Sequence, residues 1–167
     1  MSLRSYIQDH PAPLVWSWVV AEKVLLAMKP LFQRGGLERS SRIMRIPEEI
    51  TKHTLFDCQD CGQCILHYTG MTCPMTCPKN LRNGPCGGTR LNSKCEVKPE
   101  MDCIWVKAYE RAPKTPYMAE FYRLNPPVDW QLQHMASWVT MPLGRDQITT
   151  GTDVTVRYAT EVLKEGK

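Results

Sequence analysis

All eight cysteines of this 167-residue chain lie between Cys58 and Cys103, and none occurs outside that stretch. The same stretch holds five glycines and four prolines, so it is mostly turns and has too few apolar residues to order itself. A bound metal supplies the stabilisation that such a segment lacks. The alternative, four disulfides, belongs to secreted proteins, and the N-terminus reads otherwise. The apolar run from Leu14 to Ala21 follows a long, Arg-poor polar lead, runs into Glu22-Lys23 and carries no small-residue cleavage pattern. The expectation is a cytoplasmic, metal-binding chain.

The remainder of the sequence supports a small fold with arms. Hydrophobic residues at 43% and charged residues at 23% exclude wholesale disorder and a polytopic membrane protein. A formal net charge of +4 is far from the clustered basic footprint of a nucleic-acid binder. Leu14, Trp18, Ala21, Leu25, Met28 and Phe32 recur at three and four, which predicts a helix over about 13–29, ended by Pro30 and Gly35-Gly36. Glu22-Lys23 and the shortness of the run argue against a membrane span. Arg34, Arg39, Arg42 and Arg45 among Ser and Gly read as a solvated linker, and Pro47-Glu48-Glu49 as the first turn of a short helix. A further short helix is expected from Ile104 to before Pro113. Beyond it Pro116, Pro126-Pro127 and Pro142 alternate with Tyr117, Phe121, Tyr122, Trp130 and Trp138, which reads as an arm draped over a surface, with a last helix over 153–164. The fold class expected is therefore small, irregular and metal-stabilised, mostly α and loop, with little sheet. It divides into an N-terminal helix and basic linker (1–46), a cysteine-rich metal-binding domain (47–111) and an extended aromatic and Pro-rich C-terminal arm (112–167).

Within the cysteine segment, Cys58-Gln-Asp-Cys61-Gly-Gln-Cys64 sets three thiolates at intervals of three, which converge on adjacent corners of one iron-sulfur cube. Bacterial ferredoxins complete such a run with a cysteine followed by proline, and both Cys73-Pro74 and Cys77-Pro78 have that form. Cys86, Cys95 and Cys103, with whichever of Cys73 or Cys77 is left over, make a second set of four. Eight thiolates suffice for two 4Fe-4S clusters, or for one cluster and one tetrahedral zinc. Zinc in the first set is the competing reading. His67, three residues after Cys64, reads as a residue beside the first set or at the surface, with lining or ligating a cluster the alternative. Lys79 and Arg82 bring positive charge near the sulfurs, where it favours the reduced state of a cluster.

These strings, continued by Gly70-Met71-Thr72-Cys73-Pro74-Met75-Thr76-Cys77-Pro78-Lys79, Leu81-Arg82-Asn83-Gly84-Pro85-Cys86-Gly87-Gly88, Cys95-Glu96-Val97 and Cys103-Ile104-Trp105, resemble the methylenetetrahydrofolate reductase C-terminal domain family. Asn125-Pro126-Pro127-Val128-Asp129 and Ser137-Trp138 resemble its tail. In that family the domain is fused to the flavin-containing barrel or stands beside it as a small MetV-type subunit. The resemblance implies a non-catalytic, metal-binding accessory subunit, with FMN or FAD on the catalytic partner and not on this chain. Three roles compete: electron relay to the partner's flavin, a structural module that holds the reductase together, and a zinc-ribbon-like nucleic-acid binder, which the modest charge disfavours. The stripe around Trp18, Leu25 and Met28 reads equally as a core face and as a docking face; the expectation is that it and the aromatics Tyr122, Trp130 and Trp138 lie against the partner, the alternative that both arms fold back on the cysteine core.

Overall fold

The computed structural model describes Tyr6 and residues 9–146. Helix α1 runs from Pro11 to Ala27 with proline in its first turn, where the missing N–H costs nothing. It stops about one and a half turns short of Phe32, where the apolar stripe ends. Pro30 has no N–H to donate and its ring conflicts with the carbonyl four residues back, so the chain bends by 52° at Met28 and restarts as α2, Lys29–Gly35. Gly36, at φ +75°, supplies the left-handed step that ends α2. No single helix among the described residues is long and apolar enough to cross a membrane.

Helix α3 spans Leu37–Phe56 and replaces the expected linker and short helix with one element that carries Pro47 inside it. Its arginines are exposed, as a linker's would be, but its buried residues are Ser40, Ser41, Glu48 and Lys52, spaced by one, seven and four along one face. The isoleucines Ile43, Ile46 and Ile50 face solvent instead, each about two-thirds exposed. A polar inner face and an apolar outer one reverse the usual rule, which is why composition concealed the helix.

The cysteine segment that follows contains only a short 3₁₀ turn, Pro74–Thr76, and an isolated bridge between Lys94 and Asp102; no strand occurs among the described residues. Helix α4, Ile104–Arg111, forms where expected and buries Trp105, Ala108 and Arg111. Beyond it lie a 3₁₀ turn at Ala112–Lys114, α5 (Met118–Phe121), a second at Trp130–Leu132 and α6 (Ser137–Thr140). The expected helix over 153–164 lies outside the described residues.

The C-terminal arm is not draped outward. It returns to α3 and closes over the first cysteine loop, and the apolar stripe of α1 is what it packs on. Leu25 and Phe32 bury against Ala136, Val139 and Met141, with Trp18, Met28 and Trp138 packed around them. A second cluster joins Val15 to Ile65, Leu66, Tyr68, Met71 and Tyr117, again with Trp18 alongside. Leu25 is thus a core residue, with Trp18, Met28 and Trp138 partly buried against the clusters, as the core reading of the stripe expects; Tyr122 and Trp130 remain more than half exposed.

Candidate metal centre

Helix α3 delivers Cys58 through Asp57, whose left-handed φ of 52° turns the chain sharply out of the helix. Asp60 and Gly62 also take positive φ, and the three turns carry Cys58, Cys61 and Cys64 around one cavity. Gly62 is required twice over. Its φ is +70°, and a Cβ there would stand 2.3 Å from the Leu132 carbonyl oxygen of the arm. The arm holds this loop by backbone and side chain: His134 N–H donates to Asp60 O at 2.8 Å, Thr140 Oγ1 to Gly62 O at 2.6 Å, and Asp129 N–H to the buried Gln63 Oε1 at 3.0 Å.

Cys58, Cys61, Cys64 and Cys73 line one cavity of about 30 Å³. Cys77, Cys86, Cys95 and Cys103 line another of about 20 Å³. The fold therefore separates the two Cys-Pro candidates that the spacing left open, giving Cys73 to the first chamber and Cys77 to the second. Both chambers are far below the roughly 300–1,000 Å³ of an organic-ligand pocket, so neither takes a flavin or a folate. All eight cysteines are free thiols. They stand around chambers rather than drawn onto a point: among the described residues no three His, Cys, Asp or Glu side chains are arranged to hold a single metal ion. Wider surface clefts flank the Asn83-Gly84-Pro85 turn, one of them reaching Trp105, Tyr109 and Tyr122 and the other Cys86.

The chambers differ in electrostatics. In the first, burial pushes the Cys58 thiol well up, helped by Cys64 and Cys73. Burial likewise raises Cys61, which Arg82 opposes, and lifts Cys73 to about 11, with Cys61 and Cys64 adding to it. Two buried cations answer this. Arg82 donates through Nη1 to Cys61 Sγ at 3.8 Å and through Nη2 to Gln63 O at 3.0 Å. Lys52, 3% exposed, donates to Glu48 Oε1 at 2.7 Å and to Ser137 Oγ at 2.6 Å, below the rings of Trp18 and Trp138. Burial works against its charge, but Cys64, Glu48 and Cys58 outweigh that and keep its pKa above the ordinary range. The Glu48 carboxylate also accepts the N–H groups of Ser137 and Trp138, so it caps α6 while it holds Lys52.

In the second chamber the charges lie outside. Lys79, exposed, pairs with Glu96 and reaches Cys86 Sγ at 3.6 Å. The Gly88 amide holds the Cys86 thiol below its usual range, with Lys79 contributing. Thr89 Oγ1 donates to Cys103 Sγ at 3.5 Å. The arm reaches this half too: Asn125 N–H donates to Asn83 Oδ1 at 2.6 Å, Asn83 Nδ2 to Asn125 O at 2.9 Å, and Asn125 Nδ2 to Arg82 O at 3.0 Å.

His67 is neither a surface residue nor a lining residue of the first chamber. It is buried, stacked on Trp18 with ring centroids 5.5 Å apart and set edge-on to Tyr68 and Tyr117. Lys79 and Arg82 do lie beside sulfurs. No sequence pattern shows that Lys52, Glu48 and Ser137 meet at this chamber, although the Glu48/Lys52 pair at i and i+4, opposite the row Ile43/Ile46/Ile50, is a legible helical signal.

The arrangement defines a class, a thiol-lined module with two four-cysteine chambers tied together by its own C-terminal arm. Over residues 38–131, more than half its length, the chain matches the family described as methylene-tetrahydrofolate reductase C terminal, and it belongs to that family. No curated protein and no solved structure matches it.

Proposed function

We propose that this chain is an iron-sulfur accessory subunit of a cytoplasmic methylenetetrahydrofolate reductase and relays electrons to the FMN or FAD of a separate catalytic subunit. The observation that carries the proposal is the division of eight thiols into two chambers of four, within a family named for that enzyme. The donor set fits: soft thiolates suit iron-sulfur clusters and zinc, and two buried cations offset thiolate charge in the first chamber. Cys58, Cys61, Cys64 and Cys73 would hold one centre and Cys77, Cys86, Cys95 and Cys103 the other. A 4Fe-4S cluster bound there supplies one-electron chemistry, with zinc the alternative occupant of the second chamber.

The chain's own part is spacing, dryness and charge. Cys73 and Cys77 are four residues apart, at most about 14 Å of backbone even when extended. The 3₁₀ turn between them, closed by Cys77 N–H donating to Pro74 O, shortens that path. Ser137 of the arm lines the first chamber beside Lys52, while the exposed Lys79 and Glu96 stand at the second. The partner's footprint is read from unpartnered apolar surface: Ile43, Ile46 and Ile50 on α3, and Trp16, Val20 and Val24 on α1.

The test is anaerobic purification followed by iron, sulfide and zinc analysis. The expected result is brown protein with acid-labile sulfide; zinc alone, without iron or sulfide, would sink the relay. A structural module is the second reading, favoured by the arm's hydrogen bonds to both cysteine loops. Reductase activity that persists with redox-inert zinc in both chambers would favour it.

A further inference from the structure

We infer that Lys52 and Arg82 are potential-setting residues: a pair of buried cations that fixes how readily the centre of Cys58, Cys61, Cys64 and Cys73 takes its electron. The inference rests on the iron-sulfur reading of that centre and adds to it the residues that tune it. Both side chains are at most 5% exposed, and Lys52 lines the same cavity as the four thiols. Arg82 lies at hydrogen-bond distance from Cys61 Sγ, 3.8 Å, and its Nε has no partner.

The physics is charge in a dry site. Adding an electron makes a thiolate-bound centre more negative, and a nearby cation lowers the energy of that state. Buried charges escape the screening by water and salt that weakens exposed ones. Lys79 at the second chamber is exposed and paired with Glu96, so its effect there is small by comparison. Lys52 is itself half-answered by Glu48, which makes the site a small balance: removing the cation and removing the anion must move the potential in opposite directions. A clamp that merely fastened Ser137 would not show that sign reversal, since both changes break the same clamp.

The experiment is a potentiometric titration followed by electron paramagnetic resonance, on the anaerobically purified full chain with its metal. Lys52→Met and Arg82→Gln are each expected to lower the potential of the first centre by about 59 mV or more, a tenfold or greater drop in reduced over oxidised centre at fixed potential. Glu48→Gln should raise it, Lys52→Arg should restore it, and the second centre should not move. Because Lys52→Met leaves Glu48 buried without its partner and can unfold the chain, the double variant Lys52→Met/Glu48→Gln is included; it buries no lone charge and should titrate near the parent. Loaded variants that all titrate like the parent, or that all shift in one direction, overturn the inference while leaving the iron-sulfur reading intact. A parent chain that holds zinc and no iron overturns that reading first.

Discussion

Burial holds the His67 imidazole neutral, lowering its pKa from about 6.5 to about 3, with the Lys52 charge a second cause. In the unfolded chain the ring takes a proton below about 6.5, whereas the folded one stays neutral until about 3. The unfolded state binds more protons in that window, so stability falls as pH drops through it, by about 1.4 kcal/mol per pH unit. His67→Phe removes this term. Urea unfolding at pH 7 and pH 5 should show the parent losing about 2 kcal/mol more than the variant, and equal losses would refute the assignment. Gly62 makes a second prediction at this scale. With a left-handed φ and the Leu132 carbonyl 2.3 Å from where a Cβ would sit, Gly62→Ala costs about 1–3 kcal/mol in backbone strain alone and pushes the arm off the loop. Limited proteolysis should then cut after residue 125 faster than in the parent; an unchanged cutting rate would count against the close approach.

Helices declared themselves in the sequence where one face was apolar and one polar, and failed to where burial inverted that pattern. The stripe of α1 and the short α4 were legible within a turn. Helix α3 was not, because its inner row Ser40, Ser41, Glu48 and Lys52 is polar and its arginines suggest open solvent. Spacing grouped Cys58, Cys61 and Cys64, but could not split Cys73 from Cys77, since both precede proline and only the fold sends them to different chambers. The return of the arm depends on contacts more than forty residues apart, such as Asn125 with Asn83, which no local pattern announces. That pair predicts an element-level effect. Asn125→Ala removes side-chain bonds to Arg82 O and Asn83 and should destabilise by about 1–3 kcal/mol. Hydrogen exchange should quicken in residues 80–86 and stay unchanged in α1 and α2; uniform quickening would mean that the arm holds the whole chain, not this loop.

On the proposed function, two parts of the molecule draw their order from different sources, one from apolar packing and one from bound metal. The cluster of Leu25, Phe32, Ala136, Val139 and Met141 contains no cysteine, whereas the segment from Cys58 to Cys103 has little apolar packing beyond the residues around Tyr68 and Met71. Stripping the metal should therefore release hydrogen-exchange protection in residues 73–103 first, with α1 and α3 protected longer. Simultaneous loss everywhere would show that the centres hold the helices too. At the outer surface, Ile43→Ser with Ile50→Ser should reduce co-purification with a co-expressed reductase without changing iron content, and unaltered recovery of the complex would place the partner elsewhere. The arm has a consequence for how such a protein is made. Synthesis proceeds from the N-terminus, so the four thiols of the first chamber leave the ribosome before residues 125–140, the cover that closes over Gly62 and Gln63, have emerged. A cofactor delivered as proposed thus meets an open first chamber until Thr140 emerges, and a chain stopped at Arg123 should both fill and empty that chamber faster than the full one.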